Sequence, residues 1–170
     1  MIPDKLQAAV VYLNGKEVVG VADVELPKVE FDTEGLKGFG IGGELDVPNP
    51  AALKPMEAKF KFRTVTEQFA SLTAPQTVEV EVLGSVQQVN PDKTISTFPI
   101  RAFMKLANKS SNPGKMEPSK AMESELTLSV FVYKLEVNGR MVYEIDPAAM
   151  KCTINGKDYL AETRKNLGMA

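Results

Sequence analysis

Residues 38–43 read G-F-G-I-G-G, a glycine spacing that cradles dinucleotide phosphates when it follows a buried strand and opens a helix. Neither flank fits. Before Gly38 stands T-E-G-L-K, which is no hydrophobic strand, and after Gly43 come Asp46, Pro48, Asn49 and Pro50, which would stop a helix within its first turns. The other residue types that could do chemistry are no better placed. Histidine is absent, which removes Ser-His-Asp and Cys-His catalysis, His-ligated metals and the usual general base near neutral pH. The single cysteine, Cys152, excludes an internal disulfide and a Cys-based zinc cluster, and reads as a small buried hydrophobe. Carboxylates are plentiful but dispersed, with no compact Asp/Glu constellation. The reading assigns no catalytic, cofactor-binding or metal-binding residue, and expects no enzyme.

The glycine stretch also carries a second pattern. Phe39, Ile41, Gly43, Leu45 and Val47 alternate with Gly38, Gly40, Gly42, Glu44 and Asp46, a period of two. This predicts an extended arm or hairpin over residues 34–49, with one apolar face and one face nearly bare of side chains. Bare glycine lets another backbone approach, yet such a segment is weak and slips in register unless something covers its apolar side.

The elements around the arm are mostly strands. Gln7–Leu13 and Glu17–Val21 flank Asn14-Gly15, the favoured hairpin dipeptide. Val24–Phe31 follows, with Pro27 suiting an edge or bulge. Met56, Ala58, Phe60 and Phe62 alternate with charged residues as a half-buried strand. A helix is predicted over Val65–Ala74, capped by Thr64 or Thr66, with Phe69 and Leu72 on its apolar side and Pro75 ending it. Strands resume at Val78–Val89 and Thr97–Leu106. Ala107–Met122 is polar, holds Pro113, Gly114 and Pro118, and reads as the longest loop. Glu125–Val137 is apolar on both faces, as in a strand buried on two sides. Asn138-Gly139 turns it into Met141–Ile145, Asn155-Gly156 makes a third such turn, and a helix over Ala161–Leu167 stops at Gly168. The expected fold is a single domain over residues 1–170, mainly β, an antiparallel β-sandwich or β-barrel with one or two short flanking helices.

Two ends of the chain resemble one family. "VYLNGKEVVGVADVELPKVEF" near the N-terminus and "KLEVNGRMVYEIDPAAMKCTINGKDYLAETRKNLGM" near the C-terminus are similar to the major tail tube proteins of contractile-tailed phages and R-type tailocins. The run Asn138-Gly139, Glu144-Ile145-Asp146, Met150, Asn155-Gly156, Asp158, Leu160, Arg164, Leu167, Gly168 carries the likeness. It covers roughly a third of the chain, and residues 90–122 match least. The resemblance implies hexameric rings stacked into a hollow tube, with a fold shared by type VI secretion tubes and no active site to carry over. It also implies that the arm lies on a neighbouring subunit, so that Phe39, Ile41, Leu45 and Val47 become inter-subunit contacts.

Other partners follow from that implication: a tail sheath protein outside, a tape measure protein and DNA passing within, and baseplate hub and tail terminator proteins at the ends. A bore that lets DNA slide must be neutral or acidic, because non-specific DNA binding rests on Lys and Arg at phosphates. Glu79, Glu81, Glu123 and Glu125 are the lumen candidates. The stripe Lys59, Lys61, Arg63 suits a sheath-facing surface or acidic groups of an adjacent ring. Met1–Lys5 and Arg164–Ala170 are expected to be loose in a lone monomer unless tied down, and in a tube they can reach a neighbouring ring.

A formal charge of −2, from 20 basic and 22 acidic residues, draws the chain to neither nucleic acid nor membrane and suits many copies packed side by side. The N-terminus lacks the pattern of a secretory signal, and no apolar run approaches the roughly 18–20 residues that span a bilayer. The expectation is synthesis in the cytoplasm of a host or producer cell, with no membrane anchor, and assembly into a virion tail or tailocin particle. Rival readings are a type VI-like tube protein, a small-ligand-binding β-barrel and a carboxylate enzyme. The barrel reading calls for an interior lined with mixed aromatics, whereas tryptophan is absent and Phe and Tyr are few.

Overall fold

A computed structural model describes residues 1–169. The chain runs β1 (Ile2–Leu13), β2 (Lys16–Val18), β3 (Val21–Glu25), β4 (Phe31–Leu36), β5 (Leu45–Leu53), β6 (Met56–Phe62), α1 (Glu67–Thr73), β7 (Val78–Val89), β8 (Ile95–Asn112), β9 (Ser124–Val137), β10 (Arg140–Asp146), β11 (Lys151–Ile154), β12 (Lys157–Asp158) and α2 (Ala161–Asn166). Strand pairing is antiparallel throughout.

The main sheet runs β12-β11-β10-β9-β8-β7-β1-β2, and β6 pairs with both β9 and β3. β9 therefore serves three neighbours. β8 lies along one edge, while the other edge is divided between β6, opposite Ser124–Val130, and β10, opposite Tyr133–Val137. The division falls at a β-bulge. Lys105 pairs with Val132 and Leu106 with Val130, so Phe131 is left over, and the buried face shifts phase from Leu126, Leu128 and Val130 to Tyr133.

The branch through β6 to β3 curls back toward β2. Only Val19 and Gly20 join β2 to β3, yet no ladder pairs those two strands among the described residues. The result is a nearly closed barrel with a seam, and a three-stranded extension, β10–β12, leaving it at β9. The core fills the barrel with Val11, Val80, Ala58, Phe60, Phe62, Met104, Leu106, Leu126 and Leu128, then continues under the extension as Tyr133, Ile145, Cys152 and Leu160.

The three Asn-Gly turns form as expected. Asn14, Asn138 and Asn155 lie near φ +50° and each following glycine near φ +80°, the left-handed pair that a tight hairpin requires. Thr66, one of the two candidate caps, accepts a hydrogen bond from the Phe69 N–H at 3.2 Å. Phe69 and Leu72 are buried, with the Phe69 ring edge-on to Phe62 at 5.3 Å. Gln68 ties α1 to β2 and the turn after it, donating to the Glu17 carbonyl and accepting from the Val19 N–H. At α2 the Gly168 and Met169 N–H groups fold back onto the carbonyls of Lys165 and Arg164, and Gly168 has φ +71°.

Several expectations need correction. The loop expected over 107–122 begins later, because β8 continues to Asn112. Asn108, Ser110, Ser111 and Asn112 pair with β9, and Lys109 is bulged and ion-paired to Glu57, so cross-strand pairing overrides weak β propensity. The strand expected over Glu17–Val21 breaks at Gly20, whose φ is +89°. That expected over Val24–Phe31 splits around Pro27 into β3 and β4. β9 is fully buried on one face only, because its other face is covered by neighbouring side chains rather than by a second sheet, and Phe131 is half exposed. The N-terminal segment is tied down, with Ile2 opposite Val89 and Pro3 opposite Gln88.

Candidate functional site

β4 and β5 pair only with each other among the described residues and form a separate ribbon. Leu36 faces Leu45, Gly35 faces Asp46 and Glu34 faces Val47. Since alternate residues and cross-strand partners share a face, Leu36, Leu45 and Val47 lie together on one side, with Glu34 beside Val47. All three are about half exposed. Pro48 and Pro50 sit in β5 at little cost, because a ribbon of two strands has free edges to take them.

The period-two pattern predicted an extended run through Phe39 and Ile41, and here the structure differs. Residues 37–44 turn over as the ribbon's tip, where Ile41 N–H bonds to the Gly38 carbonyl and Lys37 pairs with Glu44 at 3.2 Å. Four tip glycines allow the reversal, and a methyl group on any of them would meet open space. Phe39 is fully exposed at the tip, while Ile41 is partly covered. Leu36, which sequence patterning missed, joins Leu45 and Val47; its signal was the hairpin register that sets it opposite Leu45.

The four lumen candidates fall in two places. Glu79 and Glu81 lie on β7 between core residues Val78, Val80 and Val82, and so point away from the core. Glu79 pairs with Lys105 at 3.6 Å and Glu81 with Arg101. The same face continues across β8, β9 and β10 with Arg101 opposite Glu136 and Lys134 opposite Glu144, and Glu144 also accepts from Lys151 at 2.9 Å. Opposite signs alternate, so this wide face is charge-balanced. Glu125 lies opposite Lys61 and Asn112. It lines a shallow polar hollow with Glu123, Lys61 and Arg63. The two glutamate pairs are separated by the stretch of β8 from Lys105 to Asn112, about 23 Å. They cannot form one acidic patch. Lys59 and Lys61 are flanked in register by Glu25 and Asp23, so that stripe is also balanced.

Asp158 ties down the C-terminal segment. Its carboxylate accepts from Arg164 at 2.5 Å and from the Leu160 N–H at 3.0 Å, and Arg164 also donates to the Met150 carbonyl. The Arg164 hydrogen bond holds the Asp158 carboxyl below the usual range. Arg164 is therefore anchored within its own chain; Ala170, the last residue of the expected terminal contact, lies outside the described residues. Burial pushes the Cys152 thiol up, with Asp158 adding to the effect, so the thiol is kept in its unreactive neutral form.

The described residues thus form an antiparallel β-barrel with a separate two-stranded ribbon that carries exposed apolar side chains. Residues 3–168 match the family model described as "Phage tail tube protein FII". The chain belongs to this tail tube family. The tail tube protein of Escherichia phage P2 is 28% identical over 174 residues, covering 99% of each chain. A chain of the sheath–tube complex of the PVC extracellular contractile injection system superposes with a TM-score of 0.55 at 13% identity, over 81% of this chain and 92% of the other. A chain of the sheath/tube terminator assembly of that system gives 0.58 at 12% identity, over 80% and 98%. A chain of the anti-feeding prophage cap, which terminates its tube, gives 0.54 at 13% identity, over 81% and 91%. At these identities the superpositions show a shared fold. Among the described residues no helix of this tube-family chain is long and apolar enough to cross a membrane.

Proposed function

We propose that six copies of this chain close into a ring, and that rings stack head to tail into the hollow inner tube of a contractile tail. The observation that carries the reading is the β4–β5 ribbon. It leaves Phe39 fully exposed and Leu36, Leu45 and Val47 about half exposed, on a ribbon that pairs with no other strand among the described residues. Such exposure is stable in an assembly and a liability in a monomer. Head-to-tail stacking is heterologous and grows an open polymer, so length and termination come from a tape measure protein, a baseplate hub and a terminator. A sheath surrounds the tube and drives it through the host envelope. The role is mechanical, without catalysis, and the particle is built in the cytoplasm of the host or producer.

In this reading Phe39, Ile41, Leu45 and Val47 contact the neighbouring subunit. The balanced face with Glu79 and Glu81 lines the bore, and Glu123 and Glu125 are the alternative lining. Paired charges present no net positive field to passing DNA, which therefore slides rather than sticks. Reversing Glu79 and Glu81 together to lysine leaves Arg101 and Lys105 unpaired. DNA delivery should then fall, most at low salt; unchanged delivery would remove these residues from the bore.

Negative-stain microscopy of concentrated protein tests the main reading, with striated hollow rods of constant width expected. Deleting residues 36–46 should abolish them. Normal rods from the deletion variant would dispose of the ribbon's role. A tailocin or related injection-system particle would use the same part, a reading favoured by the fold likeness to the extracellular injection-system chains.

A further inference from the structure

Three hairpins of the chain close on the same dipeptide, Asn14-Gly15, Asn138-Gly139 and Asn155-Gly156, each exposed and each in the same left-handed geometry. Asparagine before glycine carries chemistry of its own. The glycine backbone nitrogen, with no side chain to hinder it, attacks the asparagine Cγ. Its proton leaves with the departing side-chain nitrogen as ammonia, and a cyclic imide forms. Water then opens the imide at either carbonyl–nitrogen bond. Cleavage at Cγ yields aspartate, and cleavage at the backbone carbonyl yields isoaspartate, whose main chain runs through the side-chain carbons. Either product has exchanged a neutral amide for a carboxylate, and no enzyme is needed.

The turns differ in the residue that stands beside each asparagine on the adjoining strand. Asn14 donates its backbone N–H to the Glu79 carbonyl at 2.9 Å, Asn138 to the Pro99 carbonyl at 2.8 Å and Asn155 to the Val142 carbonyl at 2.9 Å. The N–H and C=O of a strand residue point to the same side, so the accepting residue has a donor in reach as well. Glu79 uses it, donating to Asn14 Oδ1 at 3.1 Å. Asn14 is thus clasped at two points, and its Cγ must break that bond to turn toward the Gly15 nitrogen. Pro99 has no N–H to give. Asn138 is held by its backbone alone, without a side-chain hydrogen bond among the described residues. Asn155 also lacks one there; its neighbour Val142 is the residue left over at the β10 bulge.

We propose that Asn138 and Asn155 are sites of spontaneous deamidation, and that the Glu79 clasp spares Asn14. The two labile turns lie together, since Tyr143 of β10 pairs with Leu135 on one side and Ile154 on the other. Each event adds a negative charge at this end of β10, beside Arg140 or Lys157, and isoaspartate also lengthens the turn. The β10–β12 extension is therefore the part of the molecule that changes with age, while the β1–β2 hairpin keeps its sequence.

Purified protein is held in mildly alkaline buffer, sampled over days and digested with trypsin at slightly acidic pH. The three asparagines fall on separate peptides, Leu6–Lys16, Leu135–Arg140 and Cys152–Lys157, whose deamidated forms are resolved by chromatography and mass spectrometry. The same peptides incubated free give each rate without the fold. Relative to its free peptide, Asn138 and Asn155 should each react about fivefold faster than Asn14, the rate equivalent of one hydrogen bond. Asn14 reacting as fast as either of the others on that scale overturns the proposal. Pro99→Ala supplies the missing donor and should slow Asn138 about fivefold, to the level of Asn14, with Asn155 unchanged. An unaltered Asn138 rate in a Pro99→Ala chain that melts like wild type overturns the clasp as the cause, and the proposal with it. Should that variant fail to fold, the wild-type comparison of Asn14 with Asn138 decides alone.

Discussion

Asp158 joins three segments through one carboxylate: the β12 end, the first residue of α2's approach and, through Arg164, the Met150 carbonyl. Its folded pKa is depressed, so the unfolded chain binds that proton more readily than the folded one. The contact therefore adds stability above the ordinary carboxylate value of about 4 and loses it as pH falls through the depressed value. Asp158→Asn should lower the melting temperature by a few degrees at pH 7, and the gap from wild type should shrink steadily in scans below pH 4. Gly114 is fixed by a different constraint. At φ +87° it lies so close to the Met122 carbonyl that an added methyl group would overlap it. Gly114→Ala should cost more than about 1 kcal/mol in urea unfolding, since strain and displacement of the loop act together.

At the level of elements, α1 is a single short helix tied to β2 and its following turn through Gln68, and it packs Phe69 and Leu72 into the core. Thr66→Ala removes its side-chain cap and should cost about 1 kcal/mol, read from the denaturation midpoint. This cap, the Asn-Gly turns and the β6 and β7 strands were legible in sequence because each is set by local chemistry: a hydroxyl before a helix, a left-handed dipeptide, an unbroken alternation. The polar end of β8 was not legible. Its residues Asn108–Asn112 have poor strand propensity, and only pairing with β9, distant in sequence, holds them extended. The arm was half legible. Its apolar character was plain in Phe39, Ile41, Leu45 and Val47, but glycine-rich sequence does not say where a ribbon reverses, and Leu36 gained its place only through register. The neutralised state of Glu79 and Glu81 was hidden for the same reason, since Lys105 and Arg101 meet them across strands.

For the whole molecule, the core and the ribbon are separable in energy. Phe60 is fully buried at the centre of the barrel, and Phe60→Ala should cost about 3–5 kcal/mol and lower monomer stability and assembly together. Phe39→Ala touches nothing in the monomer. It should leave the unfolding midpoint of the monomer unchanged while weakening rod formation, measured by sedimentation. A loss of monomer stability on Phe39→Ala would mean that the tip belongs to the fold after all. Opposite signs pair across β7, β8, β9 and β10, and the chain's 20 basic and 22 acidic side chains sum to a net charge of −2.

The branching of the sheet at β9 has a consequence for synthesis. The ribbon is complete once Leu53 has emerged from the ribosome, but the barrel cannot close until β9 follows, ending at Val137. At ordinary elongation speeds that interval is about 4–17 s. Throughout it the exposed apolar tip is present on a nascent chain with no finished body behind it, and neighbouring ribosomes on one message hold many such tips close together. The order of strands along the gene thus places the greatest hazard of premature clumping during translation, before any finished chain is available to assemble.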